Sequence, residues 1–333
     1  FRTNTMMYSD QYALRDKYDM LLPPDDTKRM TDFVRAKRKR RYEPISSSSM
    51  TYDIFDCPTH PPEGYPMQWK ILDIIENWNP DDTEPRTKIY QGLCVFDYDT
   101  ELEKANNYRK AEVPFILRDD PTVLQAAERW AQPGYLRRLL APIEKQKTEY
   151  NEKGNHFMYW KVKGRGAQPE GWKPPTEMIK MSFEDWITKA NSPSKNLDVD
   201  KPHWYFRLNG SICGGNECKH SNDFLYDELP FFKPLKSFYM IEPREHRGIN
   251  CRFGMSGVIA ENHFDGSRNF IVLLGGERRY ILSHPKECLN LCLYPSRHPS
   301  GRHSAVDWSN PDLESFPRFK NAMANEVVLQ AGD

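Results

Sequence analysis

This sequence of 333 residues lacks a long apolar run, a Cys-x-x-Cys pair and an excess of charge of one sign. It has no stretch of about 18 consecutive apolar residues, the length that a membrane-spanning helix needs, so no membrane span is predicted. No Cys-x-x-Cys pair occurs among the seven cysteines, which argues against a structural zinc site. Basic and acidic residues balance at 47 each, so a protein that coats nucleic acid is not expected.

The sequence also lacks an initial methionine, since it begins with Phe1, and it shows no signal peptide. We therefore expect the natural start, with any targeting segment, to precede this residue. Cys213 and Cys218 flank a short glycine-containing loop and could form a disulfide or stay as two thiols. Asn209 begins the glycosylation sequon "NGS", a tripeptide that often occurs by chance. These features leave the secretory lumen and the cytoplasm both open as locations.

The residues that are present favour a loop-rich fold with a substantial core, since there are 26 prolines and 13% aromatic residues. Three parts are predicted: a basic and serine-rich tail over 1–50, an irregular extension packed on the core over 51–111, and the main domain over 112–333. The basic run at 35–41 fits a nuclear-import signal, an anionic-surface patch, a processing site or simply a solvated stretch. The nucleus is the least expected location.

Local patterns predict several helices and strands. A short amphipathic helix is expected around 69–78, and the segment 121–140 is expected to be helical with an interruption at Pro133-Gly134. The stretch "MSFEDWITKAN" predicts another helix with Ser182 as its N-cap. Strands are predicted in "EVPFILRDD" and "HWYFRL".

Short strand-like runs dominate the last hundred residues. They are separated by Gly, Pro and Asn, which is typical of a β-sandwich or barrel. Gly275-Gly276 lies between two apolar runs and predicts a hairpin. The predicted strands are "SFYMIE", "CRFGMS", "VIAENHFD", "NFIVLLG", "RRYILS" and "EVVLQ".

The segment "VIAENHFD" contains the pattern His-x-Asp, at His263 and Asp265. If it is a strand, both side chains lie on one face and supply two of the three ligands of a facial iron site. A hydrogen-bonded histidine near a strand end is the ordinary alternative. Arg278 follows the predicted hairpin and could bind the distal carboxylate of an organic acid. The alternative is that one or both of Arg278 and Arg279 are solvated charges at the hairpin end, and strand alternation allows only one of them to face the interior.

From 261 to 333 the sequence resembles the cupin-like Jumonji C branch of iron(II)- and 2-oxoglutarate-dependent oxygenases. The ordered features are the His-x-Asp, the following Asn and strand, "LYP", "VDWSNPDLESFPRF" and "AGD". It is most similar to the type represented by the asparaginyl hydroxylase that modifies hypoxia-inducible factor, and the resemblance extends over about 112–333. It implies a mainly β fold, a double-stranded β-helix (jelly roll) with flanking helices, and the co-substrates 2-oxoglutarate and dioxygen.

The resemblance also implies roles for particular residues. His263 and Asp265 would be iron(II) ligands, and Arg278 would bind the far carboxylate of 2-oxoglutarate. Asn269 would line the co-substrate pocket. Tyr205 matches a co-substrate-binding tyrosine, with a core aromatic as the equal alternative. Ala260 stands where some relatives have a threonine that bonds to the co-substrate, and it cannot make that bond.

In the family a second ligand histidine follows the "GD" turn, and this sequence ends at that turn. His284, His298 and His303 do not occupy its position. We therefore expect a C-terminally truncated jelly roll that binds iron poorly and is inactive as a fragment. Two other functions stay open: a non-catalytic jelly-roll binding or scaffold protein, and, less favoured, a Jumonji demethylase. The expected substrate is a protein or a small molecule of unknown identity, and the oligomeric state is open.

Overall fold

The computed structural model of the chain describes residues 42–46, 50–82, 84–161, 169–191, 199–210, 212–214, 217–219, 222–232, 238–239 and 248–333. Of 212–214 and 217–219 only the backbone is described. The basic tail with its run at 35–41 lies outside these residues, as does most of "SFYMIE". Ser211 of the sequon and the side chains of Cys213 and Cys218 also lie outside them.

The strands are short and numerous, as the sequence predicts. In chain order they are β1 (Glu43–Pro44), β2 (Trp69–Lys70), β3 (Lys88–Ile89), β4 (Val95–Asp97), β5 (Ile116–Arg118), β6 (Gln146–Asn151), β7 (His156–Phe157), β8 (Glu177–Met181), β9 (His203–Asn209), β10 (Ile212–Gly214), β11 (Glu217–Lys219), β12 (Asn250–Gly254), β13 (Ile259–Ala260), β14 (Glu277–Leu282) and β15 (Met323–Gln330).

The helices flank these strands. They are α1 (Ile71–Asn77), α2 (Tyr98–Lys110), α3 (Pro121–Ala131), α4 (Tyr135–Leu140), α5 (Phe183–Ala190) and α6 (Leu225–Glu228), with 3₁₀ turns at Pro230–Phe232, Pro285–Leu289 and Phe319–Asn321. The predicted interruption between α3 and α4 is confirmed, since Gly134 adopts φ 74° there. The predicted N-cap of α5 is confirmed as well, because the Ser182 hydroxyl accepts from the backbone N–H of Asp185 at 3.1 Å.

The largest sheet is antiparallel and has the strand order β12-β9-β6-β8. One of its faces is apolar and lies against α3, α4 and α5. Phe206 of β9 is fully buried there and packs edge-on against Phe253 of β12, with 5.8 Å between the ring centroids. Trp130 stacks on Phe253 at 6.0 Å. Burial of each large apolar side chain contributes about 1.5–3 kcal/mol, so this face holds the helices on the sheet.

A second antiparallel sheet has the order β14-β15-β2, and α1 packs beside it. β15 is buried along nearly its whole length. Its pairing with β2 joins the extension at 51–111 to the main domain. The extension is less irregular than expected, because it contains both α1 and α2. Its β4 also pairs in parallel with β5.

A disulfide joins Cys57 and Cys94, whose Cα atoms lie 6.0 Å apart. Both residues are buried among aromatic side chains, including Phe96 and Tyr108. The sequence pattern drew attention to Cys213 and Cys218 instead and gave no signal for this pair, because its members are 37 residues apart. The bridge closes the extension on itself.

Two strand predictions are wrong. "NFIVLLG" is not a strand, since the only backbone bonds in this stretch of the described chain join Leu273 to Gly332 and Asp333. The hairpin at Gly275-Gly276 is therefore absent from the described chain, and β14 pairs with β15 instead. "VIAENHFD" forms only the two residues of β13. The fold is β-rich with flanking helices, as expected, and the closed jelly roll stays a prediction.

Candidate functional site

His263 and Asp265 follow β13 in irregular chain, not on a regular strand. A single antiparallel bridge pairs His263 with His303. Backbone bonds on either side hold this contact: Phe264 N–H donates to the Arg302 carbonyl at 3.2 Å, and Ser304 N–H donates to Asn262 at 2.9 Å. The alternation argument for the His-x-Asp pair therefore does not apply as predicted. The segment 300–304 supports the pair instead.

The His263 imidazole is oriented by two contacts. Its Nδ1 lies 2.7 Å from the Glu261 carbonyl oxygen, which can only accept, so Nδ1 carries the proton. Its ring stacks on the buried His303 ring at 4.9 Å between centroids. Burial, together with the neighbouring His263, lowers the pKa of His303 to about 4. The Nε2 lone pair of His263 makes no hydrogen bond within the described chain, which is the state that a metal ligand needs.

The Asp265 carboxylate is half exposed, and each of its oxygens is bonded. Asn269 donates from Nδ2 to Oδ2 at 2.8 Å. Arg302 lies 3.3 Å from Oδ1 and also donates to the Phe264 carbonyl at 3.0 Å. Asn269 is thus placed beside the predicted ligand Asp265. Arg302 was not singled out by the sequence, because its contact depends on the bridge to the 300–304 segment.

Tyr205 and Arg278 form a second group. The Arg278 guanidinium lies over the Tyr205 ring at 5.4 Å and near the Tyr280 ring at 5.8 Å. Arg279 points to the other side of β14, where its Nε bonds to the fully buried Glu326 at 2.6 Å. The predicted alternation of the two arginines is confirmed. Tyr205 is 5% exposed, so the core-aromatic alternative and the binding role both fit its position.

The second face of the large sheet, which we call the polar face, carries Glu149, Tyr205, Arg207 and Arg252. Tyr205 lies opposite Glu149 of β6 in the strand register. Arg207 lies opposite Arg252 of β12 and forms an ion pair with the buried Glu149. Residues that are opposite in a sheet share a face, so these four side chains are neighbours.

The His263–Asp265 pair and the Tyr205–Arg278 group are connected through β7. The Phe157 ring lies 5.8 Å from that of Tyr205. The Phe157 carbonyl accepts from Glu261 N–H at 3.0 Å, two residues before His263. β13 pairs in parallel with β7, which fixes the course of the chain into the His-x-Asp. The candidate site therefore lies between the polar face and the bridge at His303.

His156 of β7 is a partly buried ionic residue that the sequence did not reveal. Its Nε2 lies 3.0 Å from Asp81, its Nδ1 bonds to Glu261, and Ser309 lies 3.4 Å away. Burial disfavours the charged imidazole, but the two carboxylates outweigh this effect and raise the pKa of His156 to about 10. Its hydrogen bond in turn lowers the pKa of Asp81 to about 2. This cluster holds Glu261, whose carbonyl orients His263.

A metal ion of the implied kind would find two donors here, His263 Nε2 and the Asp265 carboxylate. The described part of the chain has no group of three His, Cys, Asp or Glu side chains placed to hold a metal. His298 stacks on Tyr294 at 4.0 Å and accepts from Ser300 N–H, as befits a loop residue. One imidazole and one carboxylate are the donor types of a facial iron site.

Comparison with known proteins agrees with the β-rich class of the fold. A family described as "Cupin-like domain" matches residues 100–333. The chain belongs to this family.

Similar proteins carry names from the Jumonji group. JmjC domain-containing protein D of Dictyostelium discoideum is 35% identical over 85 residues, covering 26% of this chain and 19% of that protein. tRNA wybutosine-synthesizing protein 5 of Gallus gallus is 32% identical over 83 residues, covering 25% and 24%. Lysine-specific demethylase 8 of Danio rerio is 34% identical over 85 residues, covering 26% and 21%.

The chain thus spans a quarter or less of the length of these relatives. JmjC members of this superfamily are typically iron- and 2-oxoglutarate-dependent oxygenases. None of the three relatives is named an asparaginyl hydroxylase, so that finer resemblance stays a prediction. No helix in the described segments is long and apolar enough to cross a bilayer.

Proposed function

We propose that this chain is the core of an iron(II)- and 2-oxoglutarate-dependent dioxygenase that hydroxylates a protein or a small molecule. The observation that carries this proposal is the His-x-Asp pair within the family region. Its imidazole is oriented with Nε2 available, and its carboxylate is half exposed. Iron, when bound, would couple the decarboxylation of 2-oxoglutarate by dioxygen to oxidation of the substrate.

Arg278, Tyr205 and Asn269 would hold the co-substrate. The planar guanidinium of Arg278 suits a carboxylate, and it lies over the ring of Tyr205. Asn269 has an amide that can exchange its bond to Asp265 for one to the co-substrate. Ala260 contributes no hydroxyl, so binding would depend more on Arg278 than in relatives with a threonine there.

Release of carbon dioxide from carboxyl-labelled 2-oxoglutarate tests this function. With iron(II) and ascorbate present, the unaltered chain, continued past Asp333 so that it includes the second ligand histidine that the resemblance implies, should release labelled gas above background. His263→Ala should lower the rate at least about a hundredfold, because a ligand is lost. The matched control is His298→Ala, a loop histidine, which should retain the rate. Equal background rates for the unaltered chain and His263→Ala would refute the proposal.

A non-catalytic binding or scaffold protein is the second candidate. It is favoured by the presence of only two metal donors in the described part of the chain, and by Ala260. Equilibrium titration with Mn²⁺ separates the two candidates. Binding that His263→Ala removes favours the oxygenase, and no binding by the unaltered chain favours the scaffold.

A Jumonji demethylase is less favoured. The name of the Danio rerio relative points to it, but the balanced charge and the lack of a zinc-finger cysteine pattern in the sequence count against it. Formaldehyde release from methylated lysine peptides would support it. Carbon dioxide release without formaldehyde would favour hydroxylation.

A further inference from the structure

The polar face carries more positive charge than binding of 2-oxoglutarate by Arg278 requires. Arg207 and Arg252 lie directly opposite each other on β9 and β12. Like charges at directly opposed positions destabilise a sheet, so this pair has an energetic cost in the isolated chain. The apolar face of the same strands has no such conflict, because Phe206 and Phe253 are opposed there.

One carboxylate serves the two arginines. Glu149 forms its ion pair with Arg207, and only 3% of the Glu149 side chain is exposed. Arg252 has no carboxylate partner in the described part of the chain. Its guanidinium lies 3.5 Å from Asn209 Oδ1 and 3.3 Å from the carbonyl of Cys251. The two arginines and Glu149 together have a formal charge of +1, and the exposed Lys147 on the same face of β6 adds a further positive charge.

Both arginines retain capacity to bind an anion. Arg252 is exposed, so a solute can reach it. Arg207 has a buried Nε–H without a hydrogen-bond partner among the described residues. A bound anion would relieve the repulsion and satisfy the free N–H groups.

The position of the pair relates it to the candidate site. Gly254, which lies opposite Tyr205, has an Arg278 nitrogen 3.7 Å from where its Cβ would stand. Arg278, Tyr205 and the two opposed arginines therefore form one continuous polar surface. A substrate that approaches beside the co-substrate would contact Arg252.

We propose that Arg207 and Arg252 form an anion subsite that binds a carboxylate group of the substrate. The inference rests on the proposed function in identifying that anion as part of a substrate. Glu149 neutralises one of the two arginine charges, so a single carboxylate would neutralise the other. Two planar guanidinium groups also provide the paired donors that a carboxylate accepts. The carboxylate could come from an acidic peptide or from a small organic acid.

Calorimetric titration of the whole chain tests the subsite. The probes are an octapeptide of alternating Asp and Gly, its Asn–Gly counterpart, succinate and 2-oxoglutarate. The Asp peptide or succinate should bind at least about tenfold more tightly than the Asn peptide, since charge-assisted hydrogen bonds contribute that much. Whichever of the two binds identifies the source of the carboxylate.

Arg252→Leu should weaken binding of that acidic probe about tenfold and leave 2-oxoglutarate affinity unchanged. Arg278→Leu should weaken 2-oxoglutarate binding and leave the affinity for the acidic probe unchanged. Arg137→Leu is the matched control, because Arg137 is an exposed arginine on α4 that pairs with the exposed Glu184. Arg252→Gln, with its circular dichroism spectrum and melting temperature, separates lost binding from lost folding.

Three results would overturn the subsite. The first is equal binding of the Asn peptide and both acidic probes. The second is loss of 2-oxoglutarate binding by Arg252→Leu, as in Arg278→Leu, and the third is tighter Arg252-dependent binding of an oligoribonucleotide than of the acidic probes. Failure of the proposed function looks different. In that case no carbon dioxide is released, while binding of the acidic probe still depends on Arg252.

Discussion

His156 shows how one side chain can support the candidate site without belonging to it. It is held between Asp81 and Glu261, and the Glu261 carbonyl in turn accepts from His263. Removal of one partner of a buried ion pair leaves the other charge without compensation. The stability of this cluster therefore depends on the charge of His156.

We predict that the contribution of His156 to stability depends on pH. Its folded pKa of about 10 lies above the unfolded value of 6.5. The stabilisation is therefore complete below pH 6.5 and is lost as the pH rises towards 10. At pH 6, His156→Gln should lower the free energy of unfolding by about 2–4 kcal/mol, and the difference should shrink by pH 9.

Urea unfolding at several pH values measures this effect, with the exposed His60→Gln as control. At the acid end, Asp81 has its pKa lowered from 3.8 to about 2, so its contribution disappears as the pH falls through that range. A His156→Gln difference that is constant from pH 6 to pH 9 would contradict the ionic interpretation.

Among the elements, β14 separates two roles on its two faces. Arg279 bonds to the fully buried Glu326 of β15, whereas Arg278 lies over Tyr205 on the other face. Adjacent arginines in one strand thus serve the core and the candidate site respectively.

We predict opposite consequences for the two substitutions in β14. Arg279→Leu should lower the free energy of unfolding by about 3–5 kcal/mol, because it leaves Glu326 buried and unpaired. Arg278→Leu should change stability by less than about 1 kcal/mol and weaken 2-oxoglutarate binding. Chemical denaturation measures the stability of the two variants, and calorimetry measures their 2-oxoglutarate binding. Equal destabilisation by both would contradict the assignment of the two faces.

Elements fixed by neighbouring residues could be predicted from the sequence. α5 follows from Ser182 and the apolar spacing after it, and the break between α3 and α4 follows from Pro133-Gly134. The run at 269–275 was mispredicted because a strand needs a hydrogen-bonding partner as well as apolar residues. Composition cannot reveal where that partner is.

For the molecule as a whole, the Cys57–Cys94 disulfide is a predicted source of stability. Closing a loop between residues 37 apart restricts the unfolded chain. Cys57→Ser with Cys94→Ser should lower the free energy of unfolding by about 3–4 kcal/mol. Thiol counting by mass spectrometry and urea unfolding test this, with Cys288→Ser as a control at a free cysteine. An unchanged midpoint after reduction of the unaltered chain would contradict it.

Sequence analysis could find only those residues of the candidate site that are close together in the chain. His263, Asp265, Asn269 and Arg278 stand in one ordered motif, so resemblance could single them out. Their supporting contacts come from a distant segment, since His303 and Arg302 reach His263 and Asp265 through a bridge. Sequence spacing does not contain such pairings.

The cluster around His156 joins residues separated by 75 positions on one side and 105 on the other. Contacts of such long range form late, because chain closure must precede them. We therefore expect this cluster to form after the local helices in refolding, and stopped-flow signals that rise at one rate for both would contradict this. On a newly made chain, the cluster that supports Glu261 would then arise after the helices.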